Sequence, residues 1–188
     1  MTTVRATTTG ALELDTQSAT LDRPAARYAL AILRLGTGFI FLWAFLDKTF
    51  GLGFSTPPER AWISGRTPSQ GFLNSDSVTG PLKSFFASIA SPASDVLFML
   101  GMLGIGVAVV LGIGLRISAV AGTIIMVLMY LAEWPFASGG GSTNPAVDYH
   151  IVYALALIVI AATAAGDTWG LGAWWKTLPF VRKHSWLR

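Results

Sequence analysis

The chain has 188 residues, of which 53% are apolar and only 12% are charged, and its formal net charge is +3. This composition is too apolar for a water-soluble domain of this length and is typical of a small integral membrane protein with one helical domain. The absence of cysteine excludes disulfides, thiolate nucleophiles, iron–sulfur clusters and cysteine zinc sites. The basic residues gather at the ends of apolar segments, as they do in membrane proteins, so the charge does not indicate nucleic-acid binding.

The amino-terminal part predicts a tail followed by a first membrane span. Residues 1–23 are rich in Thr and Ala and have no apolar period, which predicts a disordered tail without a cleaved signal peptide. The first predicted span covers 27–46 and ends at Asp47 and Lys48. Arg34 lies within it, and two interpretations stay open: the side chain snorkels to the headgroups, or it is buried and bonds carbonyl groups or an acid.

A long polar connection separates this span from the next two. Residues 47–91 contain four prolines and are too irregular to cross a bilayer. The second predicted span covers 92–115, and Gly104, Ala108 and Gly112 predict a close approach to a neighbouring helix.

The third predicted span covers 117–134 and ends at Glu133 and Trp134. Only a tight turn separates it from the second span, which predicts an antiparallel hairpin.

The fourth predicted span covers 145–165. Asn144 is a suitable helix cap, and Pro145 fits a first helical turn. Asp148 and His150 lie in its first two turns, and an ionisable pair at the mouth of a membrane helix is expensive to place, which makes it a candidate functional site. The remaining 177–188 predict a basic tail that follows an aromatic belt and favours anionic lipids.

Several cofactors are not expected. The chain has only two histidines, His150 and His184, and the second lies in the basic tail, so neither a bis-histidine haem nor a metal site is predicted. The Gly-rich segment 138–142 lacks the Gly-Lys-Ser/Thr of a phosphate loop, so no nucleotide site is predicted.

The charge distribution predicts the orientation. Eight of the 13 Lys and Arg residues lie on the side of the termini, four lie in the connection, and Arg34 lies within the first span. The positive-inside rule then places both termini in the cytoplasm. The sequence therefore predicts an all-α, four-helix integral membrane bundle whose titratable side chains meet at the outer ends of the spans.

These outer residues suit the binding of a quinone. His150 can donate or accept a hydrogen bond, Asp148 and Glu133 can exchange protons with it, and aromatic rings can wall a flat ligand. The alternative is that Asp148 and His150 only form local hydrogen bonds at a helix start. The candidate catalytic residues are His150, Asp148 and Glu133, and the candidate cofactor-binding residues are Trp134, Tyr153, Tyr149, Asp47 and Lys48.

Parts of the chain resemble the DoxX family of four-helix membrane proteins. The resemblance rests on LRLGTGFIFLWAFLDKTFG, which contains Arg34 and Lys48, and on LGIGLRISAVAG, which contains Gly112 and Arg116. The segment NPAVDYHIVYALALIVIAATAAGDTWGLGAWW is similar to the DoxD-like branch, the small membrane subunit of thiosulfate:quinone oxidoreductase. The similarity covers roughly 27–176, within a predicted DoxX-like domain of 24–176.

The resemblance implies a plasma-membrane protein in quinone-linked redox chemistry, with thiosulfate as a substrate in the DoxD-like branch. Two interpretations stay open. The chain is a membrane subunit of a quinone-linked oxidoreductase, or it is a non-catalytic accessory subunit that uses the connection to bind a respiratory or redox membrane protein. The sequence leaves open whether the chain is an enzyme by itself.

Overall fold

The computed structural model describes residues 19–136, 144 and 146–188, and these residues form helices and turns without a strand. Three helices are long and apolar enough to cross a membrane, which indicates a membrane protein. A further apolar helix has only 14 residues and rises about 21 Å, less than the ~30 Å of a bilayer core. In chain order the helices are α1 (Pro24–Phe50), α2 (Pro68–Leu73), α3 (Lys83–Ile89), α4 (Pro92–Leu111), α5 (Leu115–Glu133), α6 (Tyr149–Ala162), α7 (Gly172–Trp175) and α8 (Pro179–Lys183).

The long helices differ at their ends from the predicted spans. The first helix continues past residue 46, so Asp47 and Lys48 belong to its last turns, and it ends where Gly51 adopts a left-handed conformation and donates a hydrogen bond to the Asp47 carbonyl. The second long helix stops at Leu111, four residues before the predicted end, because Gly112 forms a left-handed cap.

The fourth predicted span begins too early. The helix starts at Tyr149, because Asp148 is its N-cap and accepts hydrogen bonds from the N–H groups of the second and third helical residues. Asn144 instead bonds the N–H groups of residues 146 and 147 and forms a turn before the helix. The predicted role of Pro145 lies outside the described residues.

The long helices pack in antiparallel pairs, α1 with α4 and α5 with α6, and α4 also contacts α5. Gly106 allows the first pair to approach closely, because a Cβ there would lie 2.6 Å from the Leu42 nitrogen. Gly104, which was predicted to face a neighbouring helix, has nothing within 4 Å of such a Cβ. The central apolar cluster consists of Phe41, Met102, Ile105, Val109, Ala119, Met126, Ala154 and Leu157.

This antiparallel arrangement defines two ends of the molecule. We call one the His150 end, where α1 and α5 finish and α4 and α6 begin. The opposite end, where α4 and α6 finish, is the Arg34 end.

Arg34 is completely buried and joins three parts of the chain. Its guanidinium donates hydrogen bonds to the Val109 carbonyl (2.8 Å) and the Val110 carbonyl at the end of α4. It also bonds the carbonyls of Ala165, Thr168 and Trp169 after α6, the last at 2.9 Å. The structure therefore supports the buried interpretation of Arg34, in which a cation satisfies carbonyl groups that a helix end leaves unpaired.

The connection, which was predicted to be irregular, and the carboxyl-terminal basic segment are both folded. The connection packs Val78 and Phe86 against Ala132 near the end of α5. The carboxyl-terminal segment is not a free tail, because Leu187 is buried and its carbonyl accepts a hydrogen bond from the Trp175 indole.

Candidate functional site

The first residues of α6 hold a buried carboxylate–histidine pair. Asp148 and His150 are only 8% and 2% exposed, and the Asp148 Oδ2 lies 2.7 Å from the His150 Nδ1. The other oxygen, Oδ1, accepts hydrogen bonds from the backbone N–H groups of His150 (3.0 Å) and Ile151 (3.2 Å). One carboxylate therefore caps the helix and orients the imidazole.

This geometry sets the chemistry of the ring. A carboxylate only accepts hydrogen bonds, so the Nδ1 of His150 carries a proton toward Asp148, and in the neutral ring Nε2 is the acceptor. Within the described part of the chain, no hydrogen bond to Nε2 is present. If Nε2 takes a proton, the ring becomes a cation beside a carboxylate and can donate a hydrogen bond from Nε2.

A second polar contact extends the site to α5. The Tyr149 hydroxyl donates a 3.1 Å hydrogen bond to the Glu133 carboxylate. The Tyr149 ring lies 4.0 Å from the His150 ring and 5.8 Å from the Tyr153 ring, measured between centroids. The structure therefore brings together Asp148, Tyr149, His150 and Tyr153 with Glu133, five of the predicted site residues.

Trp134 lies where the end of α5 packs against residues 79 and 80 of the connection. The Thr79 N–H donates to the Ala132 carbonyl and the Thr79 hydroxyl donates to the Glu133 carbonyl, which satisfies two groups at the helix end. Gly80 is required beside them, because a Cβ there would lie 2.4 Å from Trp134 Cγ. Within the described residues, Trp134 packs beside Gly80 and Phe136 and has no ring contact with His150.

Asp47 and Lys48 stabilise the start of the connection. The buried Asp47 carboxylate accepts hydrogen bonds from the N–H groups of Phe54 (3.2 Å) and Ser55 (2.9 Å), and from the Ser55 hydroxyl (2.7 Å). The Lys48 ammonium lies 3.4 Å from the same hydroxyl. Among the described residues, the side-chain hydrogen bonds of Asp47 and Lys48 lie in this loop, which supports a structural role for both side chains.

Asp95 is a buried acid that the sequence interpretation missed. It is 1% exposed in the first turn of α4, and its Oδ1 accepts a 2.7 Å hydrogen bond from the Ser69 N–H at the start of α2. An acid in a first helical turn is common because it complements the helix dipole. The sequence position alone therefore does not reveal that Asp95 holds the connection against α4.

The described residues contain no group of three or more His, Asp or Glu side chains placed to hold a metal ion. No family model, no curated protein and no solved structure matches this chain. The resemblance to the DoxX family therefore stays a prediction.

Proposed function

We propose that the chain crosses the plasma membrane four times as a four-helix bundle, with α6 as the fourth crossing and both termini in the cytoplasm. Two observations support this: α6 packs antiparallel along α5, and the described basic residues are more numerous at the Arg34 end. Because the chain has no cysteine, single cysteines introduced at Ser75 and at Ser185 test the topology by labelling intact cells. Labelling at Ser75 alone is expected, and labelling at Ser185 alone would contradict the orientation.

We further propose that the protein is a membrane subunit of a quinone-linked oxidoreductase, with its quinone site at the His150 end. The observation that carries this proposal is the buried hydrogen bond between His150 and Asp148. Titratable side chains inside a membrane protein are expensive to place and usually functional. The resemblance to the DoxD-like branch makes thiosulfate a candidate electron donor.

The residues of the site fit a quinone. A bound quinone supplies two-electron, two-proton redox chemistry. His150 presents Nε2 as a hydrogen-bond partner for a carbonyl or hydroxyl oxygen and can give or accept a proton there. Asp148 fixes the ring and balances its charge, while Glu133 lies within hydrogen-bond distance of Tyr149 as a second proton acceptor. Tyr149 is half exposed, and with Tyr153 it offers apolar ring surface to a flat ligand.

Substrate-dependent quinone reduction in membranes tests this proposal. His150→Ala should abolish it, and Asp148→Asn should reduce it about 10²-fold or more, because asparagine keeps the helix cap but removes the negative charge beside the ring. His184→Ala is the matched control, since that ring bonds only the Phe180 carbonyl among the described residues. Activity of His150→Ala equal to that of His184→Ala would remove His150 from the mechanism.

A non-catalytic accessory role is the second candidate, and one observation favours it. The connection is folded, yet it exposes Phe54 and Ile63 at 77% and 65%, and exposed apolar side chains at a membrane surface can bind a partner. Purification in mild detergent distinguishes the candidates. A stoichiometric complex that is lost in the Phe54→Ser, Ile63→Ser double variant supports the accessory role, whereas an active chain without partners excludes it.

A further inference from the structure

A basic cavity of about 210 Å³ lies at the Arg34 end, far along α6 from His150. The turn between α4 and α5, the last turn of α6 and the carboxyl-terminal segment enclose it. Three cationic side chains line it, those of Arg116, Lys176 and Arg188, and Asp167 is the one acidic side chain among its described lining residues.

Neither arginine side chain is paired with an acidic side chain among the described residues. The Lys176 ammonium lies 2.6 Å from the Asp167 carboxylate, so the charge of this acid is balanced by Lys176 and not by an arginine. Arg116 donates a 2.9 Å hydrogen bond to the Ser185 carbonyl, and Arg188 donates a 3.1 Å hydrogen bond to the Arg182 carbonyl. Neither arginine forms an ion pair within the described residues. A carbonyl group holds a guanidinium in place without cancelling its charge, and the other N–H groups of each guanidinium have no partner among the described residues.

The lining of the cavity also has an apolar part, from the last turn of α6 and the carboxyl-terminal segment. Ala161, Ala162 and the half-buried Trp175 form this apolar lining. Ile158 lies one turn before Ala162 on the same face of α6 and is 47% exposed.

The carboxyl-terminal segment also indicates how deep in the bilayer the cavity lies. It exposes Trp174, Phe180 and Trp186 by 55% or more. Trp side chains concentrate at the level of the lipid headgroups, so the cavity lies at that level in a membrane.

We propose that this cavity binds the phosphate-bearing headgroup of an anionic membrane lipid. The guanidinium groups of Arg116 and Arg188 bind the phosphate oxygens, a geometry for which the planar fork of arginine is well suited. The apolar lining and the exposed face of α6 receive the first part of the acyl chains. A free phosphate ion would use the arginines but not the apolar lining. This inference rests on the chain lying in a membrane and not on the quinone site.

Native mass spectrometry of the purified full chain tests the proposal, after incubation with equal amounts of phosphatidylglycerol and phosphatidylcholine. The wild type should retain more phosphatidylglycerol than phosphatidylcholine. Each of Arg116→Gln and Arg188→Gln should weaken retention about fivefold, since one basic residue near a membrane surface contributes about 1 kcal/mol. Glutamine keeps an N–H donor for the backbone carbonyl. Arg116→Lys keeps the charge but not the planar fork, so it should restore only part of the retention.

The control is the Arg60→Gln, Arg66→Gln double variant, which removes two exposed arginines from the opposite end. Its retention should equal that of the wild type. Circular dichroism checks that every variant is folded. Equal retention of both lipids, or a loss in the control as large as in the Arg116 and Arg188 variants, would overturn the proposal. Complete displacement of phosphatidylglycerol by millimolar inorganic phosphate would also overturn it and assign the site to free phosphate.

Discussion

Arg34 and His150 are both buried ionisable side chains, but their partners differ in kind. Arg34 is bonded to backbone carbonyls from two segments, which makes it a structural tie between α1, the end of α4 and the turn after α6. His150 is bonded to a carboxylate by one ring nitrogen, and within the described residues its other nitrogen has no such bond. The first arrangement uses the donors of the Arg34 side chain for stability, and the second leaves the ring nitrogen that we propose as the quinone partner.

The hydrogen bonds between Arg34 and the backbone carbonyls should stabilise the folded protein. Arg34→Met should lower the free energy of unfolding in detergent by about 3 kcal/mol, because it leaves buried carbonyls without donors. Arg34→Lys should lose less, since an ammonium group keeps three donors. Denaturant unfolding followed by circular dichroism measures both. Arg66→Gln, at an exposed position, is the control, and a loss in Arg34→Met no larger than in this control would contradict the structural role.

Residue-level prediction from sequence succeeded where the chemistry was local. Asp148 and His150 were identified as an ionisable pair at a helix start, and their side chains are in contact because Asp148 is the N-cap. The partners of Arg34 lie at least 75 residues away in sequence, so the sequence allowed both snorkelling and burial. The burial of Asp95 could not be predicted, because it depends on where the connection folds back against α4.

At the scale of elements, close packing of α1 on α4 depends on Gly38 of α1 and Gly106 of α4, since a Cβ at either would lie less than 3 Å from the backbone of the other helix. Composition identified a series of small residues in α4 but not the side that faces α1. Gly106 contacts the backbone of α1, whereas Gly104 is exposed. Their positions differ by about 200° around the helix, which explains why one is packed and the other is not.

Gly104 and Gly106 form a matched pair for a packing test. Gly106→Ala should destabilise the protein by about 1–3 kcal/mol, because a Cβ would collide with the backbone of α1 at Leu42. Gly104→Ala should be neutral or stabilise by up to about 1 kcal/mol, because alanine favours helix and meets open space. Thermal unfolding in the same detergent compares them. Equal effects of both substitutions would contradict the packing of α1 on α4.

The connection supplies a second prediction at this scale. Asp95→Ala removes the acceptor of the buried Ser69 N–H, so the connection should detach more often and trypsin should cleave at Arg60 and Arg66 about tenfold faster. Asp95→Asn keeps an acceptor and should change the rate little. The control is Asp76→Ala, which breaks only an exposed ion pair with Lys83. An unchanged rate in Asp95→Ala would show that other contacts hold the connection.

The start of α6 shows how two candidate N-cap residues can compete for one helix. Asn144 and Asp148 are both good N-cap residues, and the predicted span began at the first of them. The helix begins after the second, because the Asp148 carboxylate caps it and bonds His150 at the same time. The sequence therefore predicted the helix but placed its first turn too early, and His150 is its second residue.

For the whole molecule, the all-helical character and the three long apolar helices could be predicted from composition and hydropathy. The folded connection and the packed carboxyl-terminal segment could not, since both depend on long-range contacts between short helices that have little intrinsic stability. In the proposed orientation, the two ends of the molecule have separate roles. The His150 end holds the buried His150–Asp148 pair, for which we propose proton exchange, and the Arg34 end holds the hydrogen bonds of Arg34 and the basic cavity.

Quinol binding to the purified protein tests the central claim most directly. Isothermal titration with a short-chain benzoquinol, the reduced form whose hydroxyl can donate to the acceptor Nε2, should detect binding to the wild type and to His184→Ala. Affinity should be at least tenfold weaker for His150→Ala, since one buried hydrogen bond contributes about 1.4 kcal/mol. Asp148→Asn should also bind more weakly, because the charged partner of the ring is lost. Binding to His150→Ala as tight as to the wild type, or no binding to the wild type, would contradict the proposed site.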